Sequence, residues 1–194
     1  MSTNPFISAW STGGSYNASS SVFGALPAPD TSTSDFLTFF FVSMYPGILD
    51  STLTKSDGHV EYMITTQPII PSGYTLFKTL KGESVVLIEW NNRGALVEIG
   101  GSVRKQHASI FLQLSGDRTF RIMNYLGEQY AWMGRGNTIC MYRANSSPNK
   151  CLAKLHREDG VLRLEVSPSV ISSGLMAPTA LAAVLLQGGR PIDG

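Results

Sequence analysis

Near its end this chain runs from a strand-like stretch, residues 160–166, through Ser167-Pro168 into Leu175-Met176-Ala177-Pro178-Thr179-Ala180-Leu181-Ala182-Ala183-Val184-Leu185-Leu186-Gln187. A helix of that composition has no polar face to give to water, so it must be covered on every side. Nearly everything upstream reads as β segments and turns, which makes a sheet the element available to cover it. The apolar run is shorter than the roughly 20 residues that cross a bilayer, and Pro178 falls within it. It reads as a buried core helix, with a membrane tail as the alternative.

At 194 residues and 43% apolar content the chain is long enough for one domain with a sizeable core. Residues 1–34 are rich in Ser, Thr, Gly, Ala and Pro and carry no charge before Asp30. They read as a flexible N-terminal arm. Phe6, Trp10, Tyr16 and Phe23 exceed what a linker needs, so part of the arm is expected to lie against the domain formed by residues 35–194.

From residue 36 the β pattern begins. Residues 36–44 are apolar on both faces, as in a central strand. Further strands are predicted over residues 51–55, 59–66, 74–80, 84–90, 95–99, 102–106, 109–114, 119–124, 129–133, 138–143, 150–156 and 161–166. Asp57-Gly58, Lys81-Gly82-Glu83 and Asn91-Asn92-Arg93-Gly94 supply the turn chemistry between them. Turns every eight to twelve residues or so, without alternating helices, predict a mainly β fold. The expected architecture is an antiparallel closed barrel of about twelve strands around the C-terminal hydrophobic helix.

Fifteen basic and fourteen acidic residues give a net charge of +1. No long-range field draws such a chain to nucleic acid, which is not expected as a partner. Cys140 and Cys151 flank a predicted hairpin loop, residues 144–149, and read as free thiols, with a cross-strand disulfide as the alternative. The N-terminus shows no basic segment followed by an apolar core, so a cytoplasmic location is expected. In that setting the sequons at Asn17 and Asn145 have no role.

The order of several short motifs carries a resemblance. Asp57-Gly58, the strand with Tyr62, Thr75-Leu76-Phe77-Lys78, Ile88-Glu89-Trp90, Phe120-Arg121, Tyr130-Ala131-Trp132 and Leu164-Glu165-Val166-Ser167-Pro168 lead into the apolar helix. Over residues 36–190 this resembles an uncharacterised fungal domain family that is similar in outline to the tubby C-terminal-like superfamily. That superfamily includes tubby domains, phospholipid scramblases and LURP-one-related proteins. The resemblance implies a twelve-stranded barrel threaded by its C-terminal helix. Related sequences often place an acidic residue early in that helix, where this chain has Ala177-Pro178. The helix is expected to start at or near Pro178, which that position tolerates. Tubby domains bind phosphoinositides through basic surface residues, but no residue-by-residue correspondence transfers that site here.

No catalytic or cofactor motif stands out. His59, His107 and His156 are far apart, without metal-ligand spacing, and neither a metal nor a cofactor is expected. Gly13-Gly14 and Gly100-Gly101 lack the Lys-Ser/Thr of a phosphate loop, and no Gly-x-Ser-x-Gly elbow occurs. Glu89 lies within an apolar strand; it is either partly buried with a raised pKa or an arginine partner, or one end of a rim salt bridge. Glu89 and Tyr130 are the acid–base candidates. Arg104, Lys105, Arg118 and Arg121 are candidates for an anionic-headgroup site, because guanidinium forks match phosphate oxygens. Trp132 and Arg135, with Tyr130, are candidates for a small-ligand pocket at the mouth of the barrel or beside the N-terminal arm.

These readings give a binding module for a lipid or an apolar anionic small molecule, with peripheral membrane contact. The alternative is a small-molecule enzyme, a cyclase, isomerase or hydrolase, with a pocket in or beside the barrel. A protein-interaction role, through the N-terminal arm or an oligomer interface, is a third reading.

Overall fold

The computed structural model describes residues 36–68, 73–145 and 150–193. The predicted arm, residues 1–34, lies outside them. Among the described residues the chain forms thirteen strands and three helices. The first seven strands are β1 (Leu37–Val42), β2 (Ser51–Lys55), β3 (Val60–Pro68), β4 (Gly73–Lys78), β5 (Ser84–Asn91), β6 (Gly94–Ile99) and β7 (Val103–His107). Helix α1 (Ala108–Phe111) comes next, and then β8 (Leu112–Leu114), β9 (Phe120–Tyr125), β10 (Glu128–Arg135), β11 (Thr138–Arg143), β12 (Cys151–Glu158) and β13 (Val161–Val166). Helices α2 (Pro168–Ser172) and α3 (Met176–Gln187) end the fold.

All thirteen strands belong to one sheet, in the order β7-β6-β5-β4-β3-β2-β1-β13-β12-β11-β10-β9-β8. Two antiparallel meanders are therefore joined where β1 pairs β13, with Phe39 opposite Leu164 and Phe41 opposite Leu162. The expected closure into a barrel does not occur. β7 and β8 are the two edges, and no ladder joins them among the described residues. The reason is local: the predicted strand 109–114 gives its first half to α1. Ala108 and Phe111, three residues apart, are buried on one side of that turn. Only Leu112–Leu114 remain to pair, and they pair with β9.

Alternation along each strand decides what faces the core. Phe39 and Phe41 on β1, Val86, Ile88 and Trp90 on β5, and Leu162, Leu164 and Val166 on β13 point inward and are buried. They pack in one cluster with α3, whose residues Ala180–Leu186 are wholly buried. Pro178 sits in the first turn of α3, where its missing N–H would have had no intrahelical partner. Among the described residues no helix is long and apolar enough to cross a membrane.

Candidate functional site

With the interior occupied by α3, chemistry is left to the outer face and the rims of the sheet. On β4 and β5 the alternation that turns Thr75, Phe77, Val86 and Ile88 inward turns Tyr74, Leu76, Leu87 and Glu89 outward. Register then places Leu76 opposite Leu87, and Tyr74 opposite Glu89. Glu89 in turn faces Leu96 on β6. The result is an apolar strip on the solvent side, lining a concavity of about 450 Å³ that reaches Trp90 at the end of β5. Gly73 stands opposite Trp90 on the ladder and has no side chain with which to cover the indole.

Trp90 is held by a chain of hydrogen bonds. Its Nε1 donates to Thr75 Oγ1 at 2.8 Å, and Thr66 Oγ1 donates to the Leu49 carbonyl at 2.7 Å. The Thr66 hydroxyl proton is thereby used, so in the 2.7 Å contact between the two threonines Thr75 is the donor. The Arg190 guanidinium covers the indole at 5.0 Å, a cation–π contact. Next to Trp90 on β5, Glu89 Oε1 lies 2.5 Å from Lys105 Nζ, with both side chains more than a third exposed. Of the two readings of Glu89, the surface ion pair is the one formed, and its partner is a lysine. Such exposed pairs contribute about 0.2–1 kcal/mol.

Lys105 is thus brought to Glu89, with Arg104 beside it, exposed on β7. Arg118 lies in the turn between β8 and β9 with φ +61°, where Asp117 accepts from Ser115 Oγ and from the Thr119 amide and hydroxyl. Those bonds hold the Asp117 carboxyl below its ordinary pKa. Arg121 points into the core. Its Nη1 donates to the Leu112 carbonyl at 2.9 Å, and Nη1 and Nη2 reach Asp193 at 3.1 and 2.6 Å. Trp132, its ladder partner, is wholly buried and Tyr130 nearly so. Arg135 lies over the Tyr142 ring, 5.5 Å from its centroid.

Tyr74, Leu76 and Leu87 do not stand out in the sequence as site residues. Their signal is nevertheless there: 74–80 and 84–90 read as one hairpin, and each face of both strands carries apolar residues. Pairing them across Lys81-Gly82-Glu83 places Leu76 beside Leu87. Among the described residues no three His, Cys, Asp or Glu side chains gather as metal ligands.

The model of a family of unknown function, DUF6593, matches residues 47–182. A solved structure similar to this chain is that of a protein from Arabidopsis thaliana, AT5G01750. It is 14% identical, with a TM-score of 0.45, over 84% of this chain and 98% of that one. No curated protein matches the chain.

Proposed function

The chain belongs to the family of unknown function DUF6593, and on that premise we propose that it is a binding module for an apolar anionic molecule, a lipid above all. The observation that carries this reading is the outward apolar strip of Leu76 and Leu87 ending at the Glu89–Lys105 pair. Apolar chains laid on the strip gain about 0.8 kcal/mol for each methylene buried. The headgroup takes Lys105 from Glu89, an exchange that costs little because the exposed pair contributes so little, and Arg104 adds a second positive charge. Kinship with the tubby-like superfamily, a peripheral membrane contact and a cytoplasmic setting belong to this same proposal.

The two acid–base candidates lie on opposite faces of the sheet, Glu89 outside with Lys105 and Tyr130 inside. They do not converge on one substrate, which favours binding over catalysis. Sedimentation with phosphatidylcholine vesicles, with and without an anionic phospholipid, tests the proposal. The protein is expected to sediment with the anionic vesicles at low salt and to be released as salt rises. Leu87→Glu is expected to weaken binding at least about tenfold, as burying an unpaired charge demands, with an unchanged melting temperature. Failure to sediment with any anionic vesicle at low salt would overturn it.

A further inference from the structure

A second cluster lies on the outer face of β10, β11 and β12, away from the strip. Tyr142 is the ladder partner of Cys151, and Cys140 that of Lys154, with a bulge between Met141 and Tyr142. All four side chains therefore leave the same face of the sheet. The two thiols are free and stand diagonally across the β11–β12 ladder, where the Cys151 thiol donates to the Ala153 carbonyl oxygen at 3.3 Å. Cys140 and Tyr142 are buried although they face outward, and Cys151 is half-buried. Arg135 covers the Tyr142 ring, and the Lys154 ammonium lies 4.5 Å from the Phe36 ring centroid.

The surroundings separate the two sulfurs chemically. The Cys151 thiol beside it, then the Tyr142 hydroxyl and the charges of Arg135 and Lys154, hold the Cys140 thiol well below the usual range against the opposing effect of burial. The Cys140 sulfur beside it, together with burial, pushes the Cys151 thiol up. Glu165, the acidic neighbour of Lys154 across the next ladder, is engaged by His156 and Arg163. A thiolate with a protonated thiol beside it is the arrangement of a nucleophile and a resolving partner.

We propose that Cys140 and Cys151 form a redox-modification site at which Cys140 reduces a hydroperoxide and Cys151 resolves the product as a disulfide between β11 and β12. The Cys140 thiolate attacks the peroxide; an S–O bond forms, the O–O bond breaks, and the departing alkoxide or hydroxide takes up a proton. Cys151 then attacks the Cys140 sulfenic sulfur. The S–S bond forms, the S–O bond breaks, and the Cys151 proton leaves with the oxygen as water. Two thiols are oxidised to one disulfide, and one hydroperoxide is reduced to an alcohol, or water, plus water. Diagonal neighbours on a ladder stand about 7–8 Å apart at Cα, beyond the usual disulfide span of about 4.4–6.8 Å. Closure therefore draws the strands together at the bulge, where the ladder is already interrupted.

Hydrogen peroxide added to the full chain, then alkylation and peptide mass spectrometry, tests this without any variant. The expected result is a monomer that has lost two hydrogens, with the peptides of Cys140 and Cys151 cross-linked and the product reversed by dithiothreitol. In Cys151→Ser the sulfenic acid is expected to be trapped by dimedone at Cys140. Tyr142→Phe is expected to slow oxidation several-fold with its melting temperature retained. Both thiols alkylating at equal rates before and after peroxide, or cross-linked dimers in place of the internal bridge, would overturn the proposal.

Discussion

Arg121 and Asp193, 72 residues apart in sequence, meet at 3.1 and 2.6 Å, with the guanidinium buried and the carboxylate half-exposed. The pair fastens the segment after α3 to β9. Asp193→Ala leaves the guanidinium with the Leu112 carbonyl and removes two charge-assisted bonds, at a cost of about 1–3 kcal/mol. A fall in the urea midpoint at unchanged slope is the expected result; an unchanged midpoint would show that the latch carries no stability. Read from sequence, Arg121 and Trp132 belong to a binding site, and the structure buries both. Phe120-Arg121-Ile122-Met123-Asn124-Tyr125 alternates two sets of mixed polarity, and choosing the wrong set turns every side chain to the other face. Glu89 is easier to place, because inward-facing Val86, Ile88 and Trp90 leave it the solvent side.

Among elements, α3 is legible from composition alone, since Ala180–Leu186 offer water nothing and are wholly buried. The exit from the helix is equally constrained. A Cβ on Gly188 would meet the helix's own Val184 carbonyl oxygen at 2.8 Å and, on the loop between β1 and β2, Leu49 Cδ2 at 3.2 Å. Gly188→Ala must shift backbone, so a loss of about 1–3 kcal/mol is expected, read from the denaturant midpoint; wild-type stability would contradict that packing. Strand positions come from turn chemistry, as at Gly82 and Gly94, whose φ values of +82° and +101° suit glycine. Residues 109–114 mislead because Ser109-Ile110-Phe111-Leu112 has strand composition, while the helical spacing of Ala108 and Phe111 is too short to register as a period.

At the scale of the whole molecule, counting turns comes close to the number of strands but does not determine closure. Closure depends on whether the two outermost strands pair, and no hydrophobic pattern in β7 or β8 fixes that. The open sheet still encloses α3, so the binding proposed above falls to the outer strip on β4 and β5. Half of that strip's chemistry, Glu89 and Lys105, stands out in sequence by charge. The apolar half does not, because Leu76 and Leu87 become a surface only when β4 and β5 pair. The most direct measurement is photo-crosslinking to vesicles that contain an anionic phospholipid with a diazirine in its acyl chain, mapped by peptide mass spectrometry. Label on the peptides carrying Tyr74, Leu76 and Leu87, lost in Leu87→Glu, is the predicted result. Label centred on β10–β12, or none at low salt, would contradict the assignment of binding to this face.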